Sequence, residues 1–365
     1  MHFSKVIKFN TVFLLFTVIP FLGKAISDTV RVDSVKTPKN YFLVLPVAFY
    51  GEETNLGLGF SGGYYHVGRG NKISNVQGNV AYTLNNQFLL SFSPRIYTKS
   101  EDYFYSGRVK ANYFPDKFYG IGRDAADSME ESFTSKELSV LIQRQRIMFG
   151  VLMAGVQAQF EYVDAVDIDP NGQLVTGITG VDKSIICGLG IVLTWDNREN
   201  QFYPTTGEFY KASLMANSRI FGSDLNFTRL TIDLRNYYKI TDNQVFAIQF
   251  LGDLTWGNVP FQEMPMLGGA DVLRGYYKGR YRDKTMICAQ GEYRFPIYRW
   301  LKGVAFASAG DVASYFDKID LTKIKSAFGT GLRFRVNPIK VNIRFDAAYS
   351  LKRSPAYYLT VTEAF

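Results

Sequence analysis

The feature that most constrains this chain is a two-residue alternation of apolar and charged side chains. In residues 226–238 (NFTRLTIDLRNYY), Leu230, Ile232 and Leu234 share one face, and Arg229 and Asp233 share the other. The same pattern recurs in 340–349 (KVNIRFDAAY) and 104–113 (FYSGRVKANY). A period of two with charge on one face predicts β-strands and argues against amphipathic helices. A soluble sandwich buries the apolar face, whereas a membrane barrel turns it to lipid, and the alternation alone does not separate the two.

The N-terminus and the aromatic content favour the membrane barrel. Lys5 and Lys8 precede an apolar run at 11–23, and Gly23 and Ala25 fit a signal-peptidase site, so residues 1–25 are predicted to be a signal peptide. The run is short for a spanning helix of about 20 residues. Phe, Trp and Tyr make up 16% of the chain, and membrane barrels carry girdles of aromatic residues at both interfaces.

The spacing of turn residues predicts an all-β transmembrane antiparallel barrel of about 16 strands; loss of one hairpin would leave fourteen. The strands are predicted at 41–50, 55–66, 75–84, 87–97, 104–113, 133–145, 148–163, 183–195, 207–218, 226–239, 244–256, 284–296, 303–313, 325–336, 340–351 and 356–365. Residues 26–40 then form a short periplasmic lead-in, and 41–365 form the barrel. The long stretches at 114–132, 164–181 and 257–283 are predicted to be external loops, because barrels pair short periplasmic turns with longer external loops.

The remaining composition excludes several functions. The net charge of +8 arises from basic residues interleaved through the strands, which indicates a positively lined interior and no nucleic-acid partner. Residues 57–63 match both G-x-G-x-x-G and G-x-S-x-G, but they lie in a predicted strand with no helix after it. No catalytic residue, metal site or cofactor is therefore predicted. Cys187 and Cys288 are far apart along the predicted sheet, so no disulfide is expected.

Three stretches resemble a known family. The sixth external loop carries Leu273, Arg274, Gly275 and Tyr276, the chain ends on Phe365, and 114–122 (FPDKFYGIG) and 194–210 (TWDNRENQFYPTTGEFY) are also similar. Together with sixteen strands they resemble the BamA/TamA-type bacterial surface antigen superfamily, which includes outer-membrane insertases and two-partner secretion translocators. The resemblance implies that the loop folds into the lumen, that its arginine meets acidic wall residues, and that Phe365 is part of an assembly signal.

The wall partners can be named only in part from the sequence. Glu292 shares its strand face with Cys288, Gln290 and Arg294, and we expect it to point into the lumen beside the loop. Ser308 stands where the resemblance implies a second acidic partner, so the Arg274 contact could rest on Glu292 alone. The resemblance also implies periplasmic repeat modules, and the lead-in at 26–40 is too short to form one.

Two functions remain open at this stage. The first is a barrel in the outer membrane of a Gram-negative bacterium that assists insertion, assembly or export of proteins. Its partners would be outer-membrane lipid, unfolded protein clients and separate periplasmic subunits. The second is a passive pore or structural barrel without translocase activity. Pro46 bears on the choice, because it lies in the first strand and proline removes a ladder donor. It would weaken the closing seam if its missing N–H faces the last strand; a bend near a strand end is the alternative.

Overall fold

Sixteen antiparallel strands form one closed barrel in which the first and last strands are neighbours. The computed structural model describes residues 40–51, 53–68, 72–175, 177–335, 341–350 and 355–365. The barrel strands are β1 (Asn40–Gly51), β2 (Asn55–Val67), β3 (Ile73–Thr83), β4 (Phe88–Tyr97), β5 (Tyr103–Phe118), β6 (Glu131–Met148), β7 (Leu152–Val166), β8 (Ser184–Asp196), β9 (Gly207–Asn217), β10 (Phe227–Thr241), β11 (Gln244–Gly257), β14 (Thr285–Pro296), β15 (Leu301–Ala313), β16 (Lys325–Arg335), β17 (Asn342–Ser350) and β18 (Ala356–Val361), and a two-stranded ribbon of β12 (Met266–Leu267) and β13 (Tyr281–Arg282) lies between β11 and β14. The predicted all-β barrel of sixteen strands is confirmed.

The remaining regular structure in the described ranges consists of short 3₁₀ turns. They lie at Asp127–Met129, Gln173–Val175, Arg219–Phe221, Phe261–Glu263 and Phe316–Lys318. No helix in the described residues is long and apolar enough to cross a membrane. The predicted signal peptide at 1–25 and nearly all of the predicted lead-in lie outside the described residues.

The three longest connections between the described barrel strands, at 119–130, 167–183 and 258–284, lie at one end of the barrel, as predicted. The other end, here the short-turn end, includes the connections at 98–102, 149–151 and 242–243, and the first, the long-loop end, includes loop 6 (residues 258–284). The prediction that 114–122 begins an external loop is wrong for its first part, because β5 continues to Phe118. Phe114 to Phe118 remain paired with β6 through residues such as Pro115 and Thr134. Pro115 therefore sits within a strand, and the loop begins at Tyr119.

The two faces of the wall divide as the alternation predicts. Leu58, Phe60, Ile142 and Ile191 are among the many large apolar side chains exposed on the outer surface. Inside, the wall carries buried charged and amide side chains. The glycine-rich stretch that resembles catalytic motifs lies in β2. A Cβ on Gly59 would lie 2.1 Å from the carbonyl oxygen of Val80 in β3, so this glycine allows the two strands to approach.

The seam between β1 and β18 is the most weakly paired junction of the barrel. Among the described residues of the two strands, a single pair, Tyr50 with Leu359, is in register. On its other side β18 pairs with β17 from Ala356 to Val361, and β1 pairs with β2 along its whole length. Pro46 lies in the middle of β1, opposite Phe60 of β2, and no described residue of β18 is in register with it.

The C-terminus turns into the lumen. The sequence predicts that β18 runs to Phe365 with Tyr357, Leu359 and Val361 on one face, but the strand ends at Val361. Thr362 has a φ of 74°, which redirects the chain, and its N–H donates to the carbonyl oxygen of Asn342. Phe365 is buried against Tyr237 and Ala247 at the short-turn end. The predicted placement of Phe365 on the strand is therefore corrected.

Candidate functional site in the lumen

Loop 6 folds back into the barrel, as predicted, and its backbone is shaped for close contact with the wall. Leu273 has a φ of 50° and Gly275 a φ of 107°, a region that most side chains disfavour. A Cβ on Gly275 would lie 3.3 Å from the Cβ of Ala327 in β16. Leu273 is fully buried with Leu267, Met286 and Val312. This small apolar cluster anchors the loop to β14 and β15.

Arg274 bridges two strands of the wall. Its Nη2 lies 2.7 Å from Oε1 of Glu292 in β14, and its Nη1 lies 2.6 Å from Oδ2 of Asp346 in β17. Its guanidinium carbon also lies 3.5 Å from the ring centroid of Phe306 in β15. All of the ionic side chains are fully buried. A planar guanidinium can hold two carboxylates at once and stack on an aromatic ring, which an ammonium cannot do.

The structure places only one of the two predicted wall partners against Arg274. Glu292 is in contact, whereas the hydroxyl of Ser308 donates to the carbonyl oxygen of Ala327 at 3.5 Å. The second carboxylate comes from Asp346, so the expectation that the anchor could rest on Glu292 alone is wrong. The alternation in 340–349 places Asp346 on the charged, lumenal face, but it does not show which loop residue it meets.

Both carboxylates belong to a larger ionic network. Glu292 also lies 3.0 Å from Arg294 and 3.6 Å from Arg333. Asp346 lies 2.5 Å from Arg333, which in turn lies 2.6 Å from Glu363 near the C-terminus. Buried charges are costly unless they are paired and hydrogen-bonded. The network therefore fixes the loop by distributing each charge over several partners.

Loop 6 also contacts both sides of the weak seam, namely β18 and the turn that follows β1. The N–H of Gly275 donates to the hydroxyl oxygen of Tyr358 in β18 at 3.0 Å. The N–H of Lys278 donates to Oε1 of Glu53, in the turn that joins β1 to β2, at 2.6 Å. Loop 6 thus spans the junction that has the fewest backbone pairs.

A second stretch of the family resemblance meets the loop. The hydroxyl of Tyr277 donates to Oδ1 of Asp116 at 2.9 Å, and its ring lies 5.8 Å from that of Tyr119 in an edge-to-face arrangement. Asp116 and Tyr119 belong to the stretch at 114–122. The base of the loop is fixed by Glu263, which lies 2.9 Å from Arg229 of β10.

The third stretch lies at the short-turn end, below the ionic network. Arg294 donates to the carbonyl oxygens of Phe365 at 3.2 Å and of Pro204 at 3.4 Å. Its guanidinium carbon lies 5.3 Å from the ring centroid of Tyr203, in the turn at 197–206. Burial raises the pKa of Tyr203 to about 12. Glu292 and Arg294 therefore connect the tip of loop 6 with this turn and with the C-terminal residue.

The charged and polar side chains of the site bind mainly to one another. Its groups are guanidinium ions, carboxylates and tyrosine hydroxyls already engaged with one another. No group of three or more His, Cys, Asp or Glu in the described residues is arranged to hold a metal ion. Cys187 and Cys288 are free thiols.

These features define a closed antiparallel barrel with a long loop pinned in its lumen by a buried arginine. A family model described as the Omp85 superfamily domain matches residues 66–360, and the chain belongs to that superfamily. The family resemblance of the sequence is thereby confirmed, and this family and fold are those of Gram-negative outer-membrane barrels.

Solved structures show the same fold at low sequence identity. The chain is similar to BamA from Haemophilus ducreyi lacking POTRA domains 1–3, with a TM-score of 0.61 and 12% identity over 95% of this chain and 78% of that one. It is also similar to CdiB from Acinetobacter baumannii (TM-score 0.57, 12% identity, 89% of this chain and 60% of that one). CdiB from Escherichia coli is similar as well, with a TM-score of 0.58 and 10% identity over 90% of this chain and 64% of that one. The chain thus spans less than two thirds of either CdiB chain.

Proposed function

We propose that the protein assists the insertion, assembly or export of proteins at the outer membrane of a Gram-negative bacterium. The observation that carries this proposal is the β1–β18 seam, where one pair of described residues is in register. Every backbone polar group in a bilayer needs a partner, so barrel strands are normally paired along their length. A poorly paired junction leaves strand edges to which the strand of another chain can add.

Pro46 supports this reading of the seam. Proline lacks the N–H that a ladder needs, and Pro46 lies in the stretch of β1 that has no registered partner in β18. We infer that Pro46 limits closure of the seam and that Phe365 takes part in recognition during assembly of the barrel itself. The partners of the proposed activity are outer-membrane lipid, unfolded protein clients and separate periplasmic subunits. Neither catalysis nor a nucleic-acid partner is part of the proposal.

The seam can be tested by locking it. Tyr50 and Leu359 are in register, so Tyr50→Cys with Leu359→Cys in a background without Cys187 and Cys288 should form a disulfide across β1 and β18 on oxidation. The matched control is Phe60→Cys with Val80→Cys, a registered pair across the fully paired β2–β3 junction. Both pairs cross-link neighbouring strands without removing a lumenal group.

The readout is the outer-membrane proteome after depletion of the wild-type protein. We expect the oxidised seam variant to lose particular outer-membrane or surface proteins and to recover them on reduction, whereas the control lock should support a normal profile. A normal profile with the seam fully cross-linked would refute the proposal. A profile that is unchanged even on depletion, with steady single-channel conductance, would establish the alternative function of a passive pore.

A further inference from the structure

The lumenal wall opposite the Arg274 network carries a second charged cluster. Arg95 of β4, Ser106 of β5, Gln143 of β6 and Gln157 of β7 lie in one register row across four strands. Arg108 follows Ser106 by two residues on the same face. The ammonium of Lys211, from β9, reaches this row and donates to Oε1 of Gln143 at 3.2 Å. Three cations therefore converge in the half of the lumen nearer the short-turn end.

These cations lack the compensation that the Arg274 network has. Within the described ranges, none of Arg95, Arg108 and Lys211 forms an ion pair with a carboxylate. Asp233 of β10 lies opposite Lys211 in register, but its carboxylate is bound by Arg235. The nearby Arg235 and Arg198 are paired with Asp233 and Asp196, at 2.6 and 2.8 Å. These two ion pairs are neutral, so Arg95, Arg108 and Lys211 give this part of the lumen a net charge of +3.

The surroundings of the three cations are neutral and polar. The amide of Gln143 donates to Oε1 of Gln157 at 2.8 Å, and the hydroxyl of Ser106 donates to Oε1 of Gln143 at 3.1 Å. Arg108 is exposed to the lumen, and Arg95 and Lys211 are partly exposed. Their donors are thus accessible to a molecule in the lumen. Charged donors grouped in a low-dielectric cleft raise the local concentration of anions.

We propose that Arg95, Arg108 and Lys211 form a binding site for an oxyanion inside the barrel. Two guanidinium groups supply planar forks that match carboxylate or phosphate oxygens, and the ammonium supplies a third positive charge. The oxyanion belongs either to a small phosphate-bearing solute or to an acidic side chain of a peptide. The site lies on β4, β5 and β9, away from the wall residues that bind Arg274 of loop 6. The proposal is therefore independent of the proposed activity at the seam.

The test is titration calorimetry of the purified full barrel in detergent, at constant ionic strength. Sodium pyrophosphate and a tetraglutamate peptide serve as probes of the two oxyanion sources. We expect saturable binding of at least one probe, weakened about tenfold for each removed charge in Arg95→Gln, Arg108→Gln and Lys211→Gln. Tighter binding of pyrophosphate identifies a solute site, and tighter binding of the peptide identifies a site for acidic segments.

The control removes the same number of charges from the outer surface. Lys136→Gln, Arg144→Gln and Arg146→Gln change exposed residues of β6 that face away from the lumen, so binding should be unchanged. Retention of the heat-modifiable gel shift shows that each variant is folded, and the single variants serve where the triple variant does not fold. The proposal is overturned if neither probe binds saturably, or if the outer-surface variant loses as much affinity as the lumenal one.

As a second readout, the residual current of the wild-type barrel should be selective for anions. The variant that combines Arg95→Gln, Arg108→Gln and Lys211→Gln should have a reversal potential in a KCl gradient that indicates lower anion selectivity. The outer-surface variant should keep the wild-type reversal potential. An unchanged reversal potential in the lumenal variant would also count against the site.

Discussion

Replacing Arg274 with lysine should release loop 6 while the barrel stays intact. The guanidinium reaches Glu292 on β14 with one nitrogen and Asp346 on β17 with the other, and it stacks on Phe306. An ammonium keeps the charge but can address only one carboxylate at that distance and cannot stack as a plane. The substitution therefore isolates geometry from charge.

The magnitude follows from the contacts that are lost. A hydrogen bond to a charged group contributes about 1.5–3 kcal/mol, and a desolvated cation–π contact contributes about 2 kcal/mol. Loss of one carboxylate and part of the stacking should weaken docking of the loop by about 2–4 kcal/mol. Since 1.4 kcal/mol is a factor of ten, the released population should rise roughly 30- to 1,000-fold.

The assay is the rate at which proteinase K cuts loop 6 near the exposed Lys278 on intact cells. When opening is fast relative to cleavage, this rate follows the population of the open state. Arg219→Lys, in an exposed 3₁₀ turn at the same end of the barrel, is the matched control and should be cut at the wild-type rate. The heat-modifiable gel shift should remain, because backbone hydrogen bonds hold the strands together independently of the loop. Equal cutting of the wild-type and Arg274→Lys proteins would show that Arg274 does not pin the loop.

Three further predictions address the wall and the short-turn end. Ile232→Arg should destabilise the barrel by about 2–4 kcal/mol because the charge faces lipid, whereas Thr231→Arg, which enters the polar lumen, should be better tolerated in unfolding titrations. Gly59→Ala should cost about 1–3 kcal/mol by overpacking, and Gly78→Ala, whose Cβ would meet nothing closer than 3.9 Å, should not; equal stabilities would contradict the close approach of β2 and β3. Tyr203→Phe should leave stability unchanged at pH 8, because the buried hydroxyl has no hydrogen-bond partner among the described residues. Folding raises the pKa of Tyr203 from 10.0 to about 12. Below pH 10 the hydroxyl is protonated in both states, so wild type and variant should be equally stable. Between pH 10 and 12 it ionises mainly in the unfolded chain, so wild type should lose roughly 2–3 kcal/mol more than the variant; parallel pH profiles would argue against this burial.

Side-chain alternation predicts the barrel well because the apolar residues within each strand identify the face that meets lipid. It fails where neighbours decide the structure. Nothing local in FPDKF indicates a strand, and Pro115 argues against one, yet pairing with β6 extends β5 to Phe118. Thr362 is not a residue type that signals a left-handed turn, so the inward course of Phe365 could not be predicted.

The candidate site shows the same division. The sequence identifies Arg274 as a loop residue and Glu292 as lumenal, since both follow from a motif or from a strand face. The contact between Arg274 and Asp346 joins residues 72 positions apart. This contact depends on how β14 and β17 curve around the loop, and the alternation of apolar and polar residues along a strand carries no information about that curvature.

The position of loop 6 across the seam makes two motions of the molecule thermodynamically dependent on each other. Since Gly275 is bonded to β18 and Lys278 to the turn that follows β1, separating these strands must break at least one of the two contacts. Whatever withdraws the loop must then make the seam easier to open, and whatever wedges into the seam must loosen the loop by the same free energy. A ligand or a mutation in the lumen could therefore set how readily the wall parts, without touching either edge strand.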